Sequence, residues 1–300
     1  MWFRNLRLYR LPRDWDMDFT RLGKLLAAVP LARCGSLDMI SRGWVYPRHE
    51  GEFVHAIERQ WLVALGVEQR LLPTTVVRQV AQERAEAIEA EQGRKVGRKE
   101  LRDLRESVTA ELMPWAFTRR RTTWCWIDPA GGWLVIDAGA DARADEFLEV
   151  LQKSIDGIAL RPLQTQVSPG AAMTEWLASG DAPAGFSVDQ DLELRSTREG
   201  QAAIRYVRHA LEGEEIQKHI AAGKMATRLG LTWNDRVSFV LTEKLQIKRL
   251  AFLDILKEEA EQNADTADEQ FDVDFALMAG ELARLLADLV IALGGELTPS

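Results

Sequence analysis

Between Thr74 and Leu112 the apolar residues keep a helical period, whereas the segments on either side alternate as strands do, so the fold must combine both. Val77, Val80, Ala81, Ala85 and Ile88 fall on one helical face. After Gly93 and Gly97, Leu101, Leu104, Val108 and Leu112 form a second. This pattern predicts a helical hairpin with a glycine-containing connection. Its polar faces are acidic along Glu83 to Glu91 and basic from Arg94 to Arg105. Inserted between strands, it is expected to project from the body.

The rest reads as α+β, antiparallel sheets with packed helices, rather than alternating βα units. Strands are expected at Phe3 to Leu11, Gly43 to Tyr46, Gly51 to Ile57 and Trp61 to Arg70. A helix is expected over Asp18 to Val29, stopped by Pro30. Arg121 to Ile127 and Trp133 to Ala138 form a hairpin about the turn Asp128-Pro129-Ala130-Gly131-Gly132. Asp145 to Ile155 reads as a helix, Leu160 to Val167 as extended and Ala171 to Ala178 as a short helix. Strands at Phe186 to Leu194, Gln201 to Val207, Ala226 to Trp233, Val237 to Thr242 and Gln246 to Phe252 surround a helix over Glu214 to Ala222. Helices over Leu253 to Gln262 and Asp274 to Leu293 close the chain. The order points to two related α+β halves. It divides the chain into a central body, 1–73 with 113–178, a projecting tip, 74–112, and a C-terminal base, 179–300.

Charge is opposed along the chain. One basic stretch runs from Arg94, Lys95, Arg98 and Lys99 through Arg102 and Arg105 to Arg119, Arg120 and Arg121; a second holds Arg205, Arg208, Lys218, Lys224 and Arg228. Glu258, Glu259, Glu261, Asp265, Asp268, Glu269, Asp272 and Asp274 match the whole formal net charge of -8. The basic clusters are therefore not swamped, and a polyanion can bind locally to a chain that is acidic in sum. The N-terminus, MWFRNLRLYRLPRDWD, carries charge every few residues and offers no apolar run. Leu282 to Leu293 is short and contains Arg284 and Asp288. A cytoplasmic protein without membrane contact is expected.

Searches for catalytic motifs fail. Gly223-Lys224 is followed by Met225, and Lys218 stands where a phosphate loop needs its first glycine. Cys34 and Cys125 are isolated and read as buried small hydrophobes; His49, His55, His209 and His219 are scattered. Asp265, Asp268, Asp272 and Asp274 are of the type that gathers Mg²⁺ for nuclease chemistry. They lie on one loop and helix start, where solvated acids complement the helix dipole, and that surface reading is preferred. No catalytic residue, metal or cofactor is assigned.

The arginine triplet stands at the entrance of a strand beside Trp115 and Phe117, and Lys224 with Arg228 recurs in a second region. Arginines offering bidentate phosphate contacts suit binding without base readout. No recognition helix is evident. Most of the ten tryptophans fall in strands, as Trp2, Trp124, Trp126 and Trp133 do, and read as core. Phe117 reads equally as core or as an exposed contact.

WFRNLRLYRL (Trp2 to Leu11), CGSLDMISRGWV (Cys34 to Val45), LLP (Leu71 to Pro73), PWAF (Pro114 to Phe117), WID (Trp126 to Asp128) and TEW (Thr174 to Trp176) occur in an order that carries a resemblance. AGK (Ala222 to Lys224), LTW (Leu231 to Trp233), KRLAF (Lys248 to Phe252), FDVDFALMAGEL (Phe271 to Leu282) and ALGGE (Ala292 to Glu296) continue it. From end to end the chain resembles the bacterial recombination-associated RdgC family. The resemblance implies a ring-shaped homodimer that encircles double-stranded DNA with little sequence preference, single strands remaining open as a further ligand. It also implies restraint of the RecA recombinase by competition for DNA, association with the nucleoid and no enzymatic activity. The family's interface phenylalanine falls on Phe117, its Lys-Gln pair on Arg208 and His209, and its AGK lysine on Lys224. The glutamine-to-histidine departure puts that pair's contact in doubt. DNA contacts are expected from Arg119, Arg120, Arg121, Arg205, Arg208, Lys224 and Arg228, and dimer contacts from Phe117, Arg208 and His209. An outward acidic stretch from Glu258 to Asp274 is expected to steer DNA toward the lumen. A metal-dependent DNA-processing enzyme using the C-terminal carboxylates and a protein-binding scaffold are the alternatives.

Overall fold

Alternating apolar residues, interrupted at prolines and glycines, give an ordered series of elements in the computed structural model, which describes residues 1–48, 50–196, 202–209, 211, 214–261 and 266–297, the side chains of residues 257 and 259–261 excepted. The first part comprises β1 (Leu6–Arg10), α1 (Phe19–Ala27), β2 (Ile40–Val45), β3 (Val54–Ile57), β4 (Gln60–Leu71), α2 (Thr74–Gln92) and α3 (Arg98–Leu112). A 3-10 turn at Met113–Trp115 leads to β5 (Phe117–Asp128), β6 (Trp133–Asp137), α4 (Asp141–Ser154), β7 (Arg161–Pro162) and α5 (Pro169–Ser179). Then come β8 (Phe186–Ser196), β9 (Ala203–Tyr206), α6 (Glu214–Ala221), β10 (Lys224–Trp233), β11 (Val237–Thr242), β12 (Ile247–Phe252), α7 (Asp254–Glu261) and α8 (Ala267–Ala292).

All these strands join one sheet in the order β2-β4-β5-β6-β1-β12-β11-β10-β8-β9, with β3 on β4 and β7 on β1. The pairings are antiparallel, so the expected α+β class is observed. β1 links two blocks of strands through a short junction, Leu6 opposite Ile247, with the Leu250 amide donating to the Arg4 carbonyl at 2.8 Å.

Two cores lie on opposite sides of the sheet. Over β4, β5 and β6, Val63, Leu65, Cys125, Leu134 and Ile136 pack against Leu22 and Leu26 of α1 and Phe147 and Leu151 of α4. The other face carries Leu6, Leu62 and Trp126 into a core continuous with Leu192, Leu229, Leu241 and Ile247. α5 and α8 cover it, α8 through Phe275, Met278, Leu282, Leu285 and Leu289, spaced as a helical face requires.

The helical hairpin takes the expected boundaries. α2 and α3 meet through Ala81, Ala85 and Val108, small residues that bring the helices close. Gly93 ends α2 at φ 64, which a β-carbon disfavours. Glu89 accepts from the Val96 amide at 2.9 Å and from Lys95 Nζ at 2.8 Å, closing the connection. Arg94 binds Glu100 through both terminal nitrogens at 2.7 and 2.8 Å. Much of the basic stretch expected here is thus matched by the hairpin's own acids.

Several expectations need correction: α4 starts at Asp141 rather than Asp145 and β2 at Ile40 rather than Gly43. β5 begins at Phe117 rather than Arg121, because Leu71 to Val67 of β4 continue to pair with it. Trp2 precedes β1 and packs on Phe252 with ring centroids 4.6 Å apart. α8 starts at Ala267, set by a capping box between Thr266 and Glu269, so Asp272 and Asp274 lie inside the helix.

Candidate nucleic-acid interface

Strand alternation builds a polar face opposite the larger core. In β8 Leu192 and Leu194 turn inward, so Asp191, Glu193 and Arg195 turn the other way. Register carries this side across the sheet: Glu193 stands opposite Arg205 of β9 and Arg228 of β10. In β12 Ile247 is buried and Lys248 faces outward. In β1 Arg7 pairs with Ile136, which pairs with Cys125, placing all three on the side covered by α1 and α4. Thr123, Arg121, Arg119 and Phe117 follow on that side by period two. Those helices cover only the first block of strands. Over β8 to β12 the same side presents Arg195, Arg205, Arg228, Lys248 and Arg249 to solvent, since α5 and α8 occupy the reverse.

Glu193 organises the arginines. It is 3% exposed and accepts from Arg195 Nε at 2.9 Å, Arg205 Nη2 at 2.5 Å and Thr227 Oγ1 at 3.1 Å, with Arg228 Nε at 4.0 Å. Burial pushes the Glu193 carboxyl up, but the hydrogen bonds from Arg205, Arg195 and Thr227 and the Arg228 charge outweigh it and hold the group at about 2. Three guanidinium groups about one carboxylate leave the cluster net positive. Sequence reading missed Glu193, Arg195 and Lys248. Asp191, Glu193 and Arg195 at period two between buried leucines are the signal that finds them.

The arginine triplet does not form one patch. Arg119 and Arg121 share a side, whereas Arg120 turns to the reverse, where its Nε binds the buried Glu68 at 2.6 Å. Arg121 and Arg42 both bind Glu146 of α4, at 2.6 and 2.8 Å. Arg119, exposed, forms no ion pair among the described residues. Phe117 is 84% exposed and Trp115 85%, so the even choice between core and contact resolves toward the surface. Arg70 fixes the turn that presents them, donating to the carbonyls of Met113 at 2.8 Å, Pro114 at 3.2 Å and Gly35 at 3.1 Å.

Arg208 and His209 follow the edge strand β9. Arg208 adopts φ 52 and its amide donates to Asp191 Oδ1 at 3.4 Å. The His209 ring lies 5.6 Å from Tyr206. Lys224 opens β10 with Nζ 3.4 Å from His219 Nδ1. Of the residues expected to act together, Arg205 and Arg228 are brought to one carboxylate, Glu193.

The acidic stretch is not one outward surface. Asp274 is buried and binds the Met1 amino group, and Asp272 receives Arg48 Nη2 at 2.8 Å beside His55 Nε2 at 3.0 Å. Burial draws the His55 imidazole below its usual value, Asp272 opposes this and the Arg48 charge adds to it. Asp268 and Glu258 are exposed. His49, Asp265 and the side chains of Glu259 and Glu261 lie outside the described residues. Among the described residues no three His, Cys, Asp or Glu side chains gather as metal ligands. Cys34 and Cys125 are buried thiols, as expected. No described helix is long and apolar enough to cross a membrane.

Comparison with known proteins places this arrangement. The family model described as "Putative exonuclease, RdgC" matches residues 1–296. The recombination-associated protein RdgC of Dechloromonas aromatica is 58% identical over 299 residues, covering 99% of this chain and 98% of that protein. Its namesake in Herminiimonas arsenicoxydans is 54% identical over 296 residues, 99% of each chain. That of Burkholderia cenocepacia is 54% identical over 296 residues, 99% of this chain and 96% of the relative. An end-to-end family match and relatives 54–58% identical over nearly their whole length leave one assignment: the chain belongs to the RdgC family.

Proposed function

We propose that the chain binds DNA without reading its sequence, as a homodimer closing into a ring around the duplex, and that by occupying DNA it limits the access of RecA. The observation carrying this reading is the basic side of the sheet, where Arg7, Arg119, Arg121, Arg205, Arg228 and Lys248 face one way, part of it free of covering helices. Guanidinium groups held by buried carboxylates keep their remaining N–H donors for phosphate oxygens, which suits backbone binding. Trp115 and Phe117, exposed at the foot of the 74–112 hairpin, supply an apolar contact for a second copy. Arg208 and His209 beside the free edge of β9 supply another, with the 179–300 region as base. Nucleoid association, no cofactor and no catalytic step belong to the same reading.

The test is binding to linear and covalently closed circular duplex across a salt series, with the mass in solution. A dimer, a steep negative salt slope, little sequence preference and slower release from closed circles are expected. A monomer, or no binding at low salt, refutes the reading. Duplex cleavage with Mg²⁺ or Mn²⁺, lost in Asp272→Ala, would instead establish the DNA-processing enzyme.

A further inference from the structure

The geometry points to a seat for a single phosphate group in the cavity where β1, β8, β9, β10 and β12 converge, with Lys248 in its wall. The cavity measures 240 Å³, and Asn5, Glu193, Arg205, Arg228, Lys248 and Arg249 line it. Every acid on its walls is already engaged. Glu193 is held by Arg195 and Arg205, and Asp191 by Arg249 Nη1 at 2.8 Å. Asp141, at the start of α4 and outside the lining, binds Arg7 Nη1 at 2.6 Å. Lys248 is left with one acceptor, the Gly139 carbonyl at 3.2 Å, and no carboxylate partner among the described residues.

An ammonium has three donors, so two remain beyond the one given to the Gly139 carbonyl. Burial pulls the Lys248 ammonium below its usual value, and the charges of Arg7, Arg228 and Lys244 add to this against Asp141. Cations crowded without a matching acid are relieved by a bound anion. A tetrahedral phosphate fits the arrangement: Lys248 and Arg228 for charged oxygens, and the Asn5 amide nitrogen for a third, its Oδ1 being turned to the Arg249 amide at 3.5 Å. The chemistry is shared by a nucleic-acid phosphodiester and by free phosphate. Its source, though not its chemistry, rests on the DNA reading above.

The experiment compares the full chain with Lys248→Gln, Lys248→Arg and Lys153→Gln, the last an exposed cation of α4 paired with Glu149. Inorganic phosphate is titrated against the thermal midpoint, and a short duplex against fluorescence anisotropy over a salt series. Lys248→Gln is expected to abolish the phosphate-induced shift, weaken the duplex about tenfold and flatten the salt slope by about 0.9 per protomer. Lys248→Arg keeps both effects, which separates lost charge from misfolding, and Lys153→Gln changes neither. If wild type shows no phosphate shift and Lys248→Gln binds duplex with unchanged affinity and slope, the seat is overturned while the DNA reading stands. If wild type ignores duplex yet shows a phosphate shift that Lys248→Gln abolishes, the seat holds, its phosphate is free, and the DNA reading falls.

Discussion

Replacing Glu193 by Gln tests whether a buried carboxylate organises the basic face. The carboxyl is held at about 2 against an ordinary 4.5, a difference equivalent to about 3 kcal/mol. That figure is an upper bound, because the side chains of Arg195, Arg205 and Arg228 are 47%, 59% and 45% exposed and water screens them. A discounted loss of about 1–2 kcal/mol remains, or about 2–6 °C in a chain of this size. Since the folded carboxyl titrates below the unfolded one, its contribution is complete above pH 4.5 and fades as pH falls toward 2. Thermal unfolding of wild type and Glu193→Gln between pH 3 and 8 should therefore show midpoints far apart at neutrality and converging in acid. A gap that stays constant with pH would place the loss in packing. A variant more stable than wild type would show that desolvating the carboxylate costs more than its arginines return.

Trp115→Ser with Phe117→Ser should leave the thermal midpoint nearly unchanged, since both side chains lie outside the protomer core, yet lower the mass in solution to that of a monomer. A dimer of wild-type affinity would remove them from the interface. Arg119→Ala should reduce the salt slope of duplex binding by about 0.9 per protomer, whereas Arg120→Ala, on the reverse side, should leave it unchanged and instead release Glu68. Equal effects on binding would refute the assignment of sides. Gly43→Ala should cost about 2–4 kcal/mol by chemical denaturation, because a β-carbon there would stand 2.4 Å from the backbone of Pro30 and Leu31. A loss under 1 kcal/mol would mean that the crossing of residues 30 and 31 over β2 yields easily.

The elements themselves were largely legible because their periods are local. Val237 to Thr242 was delimited to the residue, and Asp18 caps α1 where the helix was expected to start. Boundaries failed where long-range pairing or capping decided them. Residues 117–120 carry two arginines and little apolar alternation, yet they extend β5 because β4 runs beside them to Leu71. Thr266 and Glu269 moved the start of α8 back by a full turn and more. In the site, residue type was legible and direction was not. Three consecutive arginines look like one patch until the strand places Arg120 against Glu68 and Arg121 beside Glu146. The counter-charges come from distant parts of the chain, so no window of sequence contains both partners.

Position also decides how an acidic chain can hold a polyanion. Several carboxylates that enter the net charge of -8 do not act on a ligand as free charges. Glu68, Glu193 and Glu281 are each buried and each meet arginine, and Asp274 meets the amino group of Met1. Charges beyond about 10 Å are largely screened at 0.1 M salt. A phosphate approaching β10 and β12 therefore responds to Arg205, Arg228 and Lys248 far more than to the exposed acids around Asp268 on α8, which packs against the reverse of the sheet. Adding salt weakens the attraction and the distant repulsion together, but the repulsion is already screened. Affinity should consequently fall steadily with salt, without the rise at low concentration that dominant repulsion by the net charge would produce.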